Sequence, residues 1–466
     1  MWVCEASDMT ASAVRPPATW LNGAPERSPS RRAGDTAAVL AGLGGGITIA
    51  LTIPAVLGAH ALTAPGGVAT AGGALTAMVG TYLALLCIVL MARLPWLERE
   101  VGQDRLLLWH RRLAPWTLIL IMAHVIFTPL GYAQANDDGW WSQLITMTFG
   151  YSWMLPAAAA TLLLIALGLL SWRPIRRRME YDSWHVAHLY FYLAIALAFG
   201  HQIDSGSILG NSRLATVWWV GLYVAVAASI VVFRIAGPLY RSLRHDIRVA
   251  RAVPVDADTT HVYLYGKNMA ALHAQGGQWF TWRFLTRNWW WQGHPYSLSA
   301  APYGQFLRIT IKNLGDQSAA IASLKPGTRV LIEGPYGAFR SDRRRADRLL
   351  LIGAGIGIAP IRALLDELPT HTDIDVIYRA SNPPAPMTEE LTRIAQWRAG
   401  RARMHLMFGS RQRFPMDART LAVVVPDVST RDVYACGPPE FVKSVRQACR
   451  QLGVPKHHIH DEPFEF

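Results

Sequence analysis

Histidines inside apolar segments are the first residues of this chain whose type and spacing could do chemistry. His110 and His124 stand at the start of one long apolar stretch and within it. His188 and His201 occupy another, with His185 just before His188. Ionisable groups at such depth are rare and usually functional. A neutral imidazole nitrogen is also a good axial ligand for haem iron. Fourteen residues separate His110 from His124. On a helix this is about 1400°, about 40° short of four turns, so the rings share a face roughly 21 Å apart along the axis. Thirteen residues separate His188 from His201. They rise about 20 Å, matching the first pair, although an ideal helix sets these rings about 140° apart. The rises leave room for two haems at two depths. Polar helix–helix contact is the competing account, and two pairs with matched separation weigh against it.

A second group lies in the C-terminal half. His294-Pro295-Tyr296-Ser297-Leu298-Ser299 follows a tryptophan-rich strand and turn. Tyr296 offers a ring to pack on a flavin, and Ser297 a hydroxyl to its edge. Gly334-Pro335-Tyr336-Gly337 is a second turn, whose glycines could simply satisfy turn geometry. Gly353-Ala354-Gly355-Ile356-Gly357-Ile358-Ala359-Pro360 follows a buried strand and opens a helix, so its amides could hold a diphosphate.

The elements that must position these residues divide the chain. Half of the 466 residues are hydrophobic (51%) and only 17% are charged, which excludes a disordered chain. Residues 1–36, rich in Pro, Ser, Arg and Ala, read as a disordered tail. Six apolar stretches then reach or approach spanning length, at 37–59, 73–94, 113–130, 152–172, 184–203 and 215–237. Arginines in the tail and in alternate connections outnumber those in the other loops by 17 to 1, the one being Arg213. The bias places both termini in the cytoplasm. It also assigns much of the +13 net charge to topology and lipid, which argues against nucleic-acid binding. Four scattered cysteines supply no iron–sulfur or zinc cluster. Beyond about residue 245, short β-rich segments predict a small antiparallel barrel. From Leu349 the alternation of strand, glycine turn and helix predicts a parallel α/β sheet.

In this ordered combination the chain resembles the ferric reductase and NADPH oxidase superfamily over about residues 37–466. The resemblance implies a six-helix transmembrane haem bundle, an antiparallel β-barrel FAD domain and an α/β nucleotide-binding domain. The expected divisions are 1–36, 37–237, 245–342 and 343–466. It implies an inner haem on His110 and His188 and an outer haem on His124 and His201. The flavin motif falls on His294, Pro295, Tyr296, Ser297 and Ser299, and a phosphate-region lysine on Lys312. Gly334, Tyr336 and Gly337 complete the FAD set. The nucleotide turn falls on Gly353, Gly355, Gly357 and Pro360, with Ala359 where the family carries threonine. Cys436 and Gly437 match the Cys-Gly-Pro motif beside hydride transfer, Glu462 the acidic residue near the flavin, and Phe466 the terminal aromatic that covers it. Catalytic roles are thereby implied for Ser297, Cys436, Glu462 and Phe466. Arg379, Arg411 and Arg413 are candidates for a 2′-phosphate, favouring NADPH over NADH.

The resemblance implies electron transfer from cytoplasmic NAD(P)H through FAD and two b-type haems to an extracytoplasmic acceptor. A ferric chelate or dioxygen is expected, with a membrane or periplasmic protein partner as a third destination. The expected setting is a bacterial inner membrane. A haem-free scaffold or transporter with a nucleotide-sensing domain is the alternative of a different class.

Overall fold

A computed structural model describes residue 42 and residues 44–56, 62–205, 207–210, 212–287, 290–337, 339–383 and 385–464. The expected tail at 1–36 and the terminal Phe466 lie outside the described residues. The chain forms two units that meet in sequence between Ala236 and Gly237.

The first unit is helical. Its helices are α1 (Gly44–Val56), α2 (Gly67–Met91), α3 (Pro95–Val101), α4 (Gln103–Asn136), α5 (Trp140–Gly150), α6 (Met154–Ser171), α7 (Arg173–Arg176), α8 (Tyr181–Asp204), α9 (Ser207–Gly210) and α10 (Arg213–Ser229). Among the described residues five helical segments are long and apolar enough to cross a bilayer: Gly67–Met91, Arg105–Asn136, Met154–Ser171, Ser183–Asp204 and Arg213–His245. The chain is a multi-pass membrane protein. Of the expected first span at 37–59, the described residues include the helix α1 (Gly44–Val56), about 20 Å at 1.5 Å per residue, and the rest of that span lies largely outside the described residues.

One expected loop is largely helical. Residues to Asn136 continue α4 and Trp140–Gly150 form α5, where 131–151 reads as a loop by hydropathy. At its other end α4 begins at Gln103, so His110 stands well inside it. Backbone hydrogen bonds close a helix in water as they do in lipid, so helices outrun their apolar cores. Helix α4 packs along α2, and α8 along α6, whereas α4 and α8 make no such close backbone packing with each other.

The helical unit ends in a π-helical segment (Ile230–Ala236) after α10, and the second unit opens with α11 (Gly237–His245). Strands β1 (Arg248–Pro254), β2 (Thr259–Tyr265), β3 (Trp279–Phe284), β4 (His294–Ser297), β5 (Phe306–Lys312) and β6 (Val330–Tyr336) follow, with α12 (Asp316–Ala322) before β6. They form two three-stranded antiparallel sheets, ordered β1-β2-β5 and β4-β3-β6. In β3 every second residue, Phe280, Trp282 and Phe284, is buried in their common core with Leu264 and Ile309. That period of two is the sheet's own.

The C-terminal part alternates β7 (Arg348–Ala354), α13 (Ile358–Glu367), β8 (Asp373–Ala380), α14 (Thr388–Trp397), β9 (Ala402–Phe408), α15 (Ala418–Val424), β10 (Asp432–Gly437), α16 (Pro439–Gln451) and β11 (Ile459–Pro463). The five strands are parallel in the order β11-β10-β7-β8-β9. From β7 the chain proceeds to β8 on one side and later to β10 on the other. The carboxyl ends of β7 and β10 therefore flank the switch point where such sheets bind ligands.

Candidate functional site

The structure brings the membrane histidines together across helices. The rings of His110 and His188 have centroids 6.1 Å apart, and those of His124 and His201 6.4 Å apart. A metal–imidazole bond of about 2 Å on each side, plus about 1 Å from each nitrogen to its ring centre, spans about 6 Å. Both pairs thus fit two axial ligands with one metal between them. His188, not His185, meets His110. The ring planes are 67° apart at the first pair and 27° at the second.

Hydrogen bonds set the tautomer of the two α4 rings. His110 Nδ1 lies 3.1 Å from the Cys87 carbonyl, and His124 Nδ1 lies 3.0 Å from the Gly73 carbonyl. A carbonyl only accepts, so each Nδ1 carries the proton and Nε2 keeps the lone pair a metal needs. Among the described residues no three His, Cys, Asp or Glu side chains form a metal cluster, and a haem asks the protein for only two donors.

The motifs of the second unit converge through strand pairing. Trp279 on β3 stands opposite both Ser297 on β4 and Tyr336 on β6, so the flavin motif and the Gly-Pro-Tyr-Gly turn flank one strand. Ser297 and Ser299 are buried, Pro295 is exposed, and the His294 ring stacks on Tyr296 at 6.1 Å. Burial pushes the Tyr296 hydroxyl up to about 12, so it stays a neutral donor. Tyr336 packs on Trp279 at 4.9 Å. Lys312 ends β5 with its side chain exposed.

At the switch point Cys436 on β10 is paired with Gly353 on β7 and with Glu462 on β11. Glu462 Oε1 accepts the Phe339 amide at 3.3 Å. Burial, reinforced by the Glu462 carboxylate, pushes the Cys436 thiol well above its usual range and keeps it neutral. Gly355 and Gly357 form the turn into α13, whose first residues Ile358, Ala359 and Pro360 are buried. The Gly437 carbonyl accepts the Phe464 amide at 2.9 Å, which holds Phe464 at this edge.

The arginines separate into two kinds. Arg379 is buried and donates to the carbonyls of Phe414 (3.3 Å), Ala380 (3.2 Å) and Gly409 (2.7 Å). It shapes the 409–414 loop rather than reaching out of it. Arg411 and Arg413 on that loop are exposed.

One cluster escapes sequence reading. Glu390 on α14 accepts from Arg308 on β5 (3.0 and 2.9 Å), pairs with Arg362 on α13 (3.0 Å) and meets His261 on β2 (3.1 Å). Arg308 also donates to the Ser299 carbonyl (2.7 Å) and hydroxyl (3.1 Å), tying the flavin motif to the nucleotide domain. A basic residue within the apolar run Phe306–Ile311 is the one signal the sequence carries. Burial opposes ionisation of Glu390, but His261, Arg308 and Arg362 outweigh it and hold the carboxyl below its usual range.

Residues 76–199 match the family described as "Ferric reductase like transmembrane component", a stretch that holds His110, His124 and His188 and ends before His201. Residues 244–340 match "FAD-binding domain", which holds the flavin motif and the Gly-Pro-Tyr-Gly turn. The chain is 25% identical over 186 residues to a glycine betaine monooxygenase reductase subunit of Chromohalobacter salexigens, 36% of this chain and 50% of that protein. It is 26% identical over 223 residues to respiratory burst oxidase homolog protein D of Arabidopsis thaliana, 40% of this chain and 22% of that protein. The solved FAD/NAD-binding domain of a nitric oxide dioxygenase from Vibrio cholerae aligns with a TM-score of 0.41 and 22% identity, covering 47% of this chain and 99% of that one. The chain thus spans half or less of the length of these two curated relatives.

Proposed function

Because the chain belongs to the ferric reductase and NADPH oxidase superfamily, with a ferric-reductase-like membrane domain fused to an FAD-binding reductase module, we propose that it moves electrons from cytoplasmic NAD(P)H to an acceptor across the membrane. FAD, when bound, converts a hydride from NAD(P)H into single electrons, and two b-type haems carry such electrons through the bilayer. The observation that carries this reading is the pair of cross-helix histidine contacts at 6.1 and 6.4 Å.

The residues have distinct tasks. His110 with His188, and His124 with His201, would hold the inner and outer haems, the two α4 rings through Nε2. Tyr296 supplies a ring face and Ser297 a hydroxyl to the flavin, while Lys312 serves its phosphates. The amides of Gly355 and Gly357 open toward a diphosphate at the start of α13. Arg411 and Arg413 meet a 2′-phosphate, which favours NADPH. Neutral Cys436 would lie on the nicotinamide side without competing as a nucleophile, and Glu462 would supply a carboxylate to the flavin side. The arginine bias supports cytoplasmic termini, six spans and an outward direction of transfer. The acceptor is a ferric chelate or dioxygen, with a protein partner on the far side as a third destination.

A reduced-minus-oxidised visible spectrum of the purified, haem-replete protein tests the reading. A low-spin b-type band that weakens in His124→Ala is the expected result. Flavin without haem would leave a scaffold or transporter with a nucleotide-sensing domain. Parallel assays of NADPH-driven superoxide formation and ferric-chelate reduction then separate the acceptors.

A further inference from the structure

The two histidines of α4 are held by the backbone of α2 in one repeating register. Gly73 faces His124, and Cys87 faces His110. The members of each set are fourteen positions apart, so the antiparallel helices keep step over both depths. The α8 imidazoles are held differently. His188 Nδ1 has Ser171 Oγ at 3.4 Å, and His201 Nδ1 is buried without a well-formed hydrogen bond, the Ala198 carbonyl of its own helix lying alongside.

We propose that α2, through the carbonyls of Gly73 and Cys87, is the positioning element that fixes the proton and plane of one imidazole at each depth, leaving His188 and His201 as the adjustable partners. The inference rests on the haem reading above. A carbonyl that accepts the Nδ1 proton makes the ring a stronger donor through Nε2, which favours the oxidised metal. It also sets the tautomer before any metal arrives. At Gly73 the helices approach so closely that a Cβ would lie 2.4 Å from Thr128 Oγ1 and 3.0 and 3.2 Å from the Thr128 backbone. Thr128 Oγ1 is itself 3.0 Å from His124 Nδ1. A methyl group at this position forces α2 away at the point where its carbonyl holds the ring.

Two neighbouring glycines separate positioning from helix spacing. A Cβ on Gly72 would find only Phe127 at 3.8 Å. A Cβ on Gly80 would press on Leu120 and Ile121 at 3.0–3.2 Å, opening the same helix pair between the two contacts. The experiment is a redox titration with low-spin EPR on the purified haem-loaded protein and on Gly73→Ala, Gly72→Ala and Gly80→Ala. Gly73→Ala should raise one of the two reduction waves and alter one of the two ferric signals, while Gly72→Ala matches the parent. Thr128→Val, which removes the hydroxyl at nearly constant bulk, should move that same wave alone and keeps the test open if Gly73→Ala fails to accumulate. The proposal is overturned if these variants move both waves equally or neither, or if Gly80→Ala reproduces the Gly73→Ala pattern. Absence of haem from the parent protein would instead refute the haem reading itself.

Discussion

Gly337 and Glu462 are in near contact: a Cβ on Gly337 would stand 2.6 Å from Glu462 Oε1. The closing glycine of the β6 turn thus meets a carboxylate from the last strand, and Glu462 is in turn paired with Cys436. Gly337 has φ +103, a conformation that costs an ordinary residue about 1–2 kcal/mol before any clash. Gly337→Ala should displace Glu462, lower the melting temperature by several degrees and release flavin, checked by thermal unfolding and by flavin retained on gel filtration. Glu462→Gln keeps an oxygen for the Phe339 amide and removes the charge. It should fold normally and slow flavin reduction by NADPH about tenfold, equivalent to about 1.4 kcal/mol, in stopped-flow bleaching at 450 nm or so.

His188 and His185 offer a discriminating pair of variants. His188 meets His110 and packs against Trp184 at 4.8 Å, which in turn carries Arg176 over its face at 4.3 Å. His188→Ala should remove about half of the low-spin haem absorbance, one of two sites. His185→Ala should retain it. Haem quantified by pyridine haemochrome checks both, and equal losses would move the ligand assignment from His188.

The Glu390 cluster makes domain docking acid-labile. The Glu390 carboxyl is depressed, so its contribution is complete above the unfolded carboxylate range of about 4.3 and is lost as pH falls below it. Burial also depresses His261, which must gain a proton as the solution becomes acidic, and this adds in the same direction. Glu390→Gln leaves Arg308 buried beside Ser299 without its counter-charge, a loss of about 3 kcal/mol by analogy with broken buried pairs. The variant should show weaker flavin retention at neutral pH and a flatter stability profile between about pH 3 and 5. Chemical denaturation at several pH values measures this.

Some of this organisation was readable in the residues and some was not. Rise along a helix depends only on residue number, so the spacing of His110, His124, His188 and His201 already gave two depths. Azimuth depends on how helices cross and which rotamer a ring takes, so the 140° mismatch on α8 could not forecast two contacts with planes 67° and 27° apart. Hydropathy found the lipid-facing lengths but not where α4 ends, since a helix needs no lipid to continue. The flavin motif was visible as a string, whereas its position as strand β4 was not, because four residues are too few for periodicity. Arg379 reads as a free cation after a strand, yet its guanidinium is occupied by three carbonyls that lie far along the chain or next to it. Backbone acceptors such as those of Gly73 and Cys87 leave no mark on residue type at all.

The division of labour among the arginines predicts cofactor choice. Arg411 is exposed on the loop that Arg379 braces, and Arg413 lies 5.5 Å over the Phe414 ring, so both guanidinium groups can meet an anion in water. A charge-assisted contact to a phosphate is worth about 1.5–3 kcal/mol. Arg411→Ala should therefore raise KM for NADPH about tenfold while that for NADH changes little. Arg379→Ala should act otherwise: with the Gly409 and Phe414 carbonyls released, the loop loses its shape and both nucleotides weaken together. Steady-state kinetics with each nucleotide, using flavin-level dye reduction so that the membrane steps do not intervene, distinguishes the two. A selective NADPH defect in Arg379→Ala, with none in Arg411→Ala, would transfer the 2′-phosphate contact to the buried arginine.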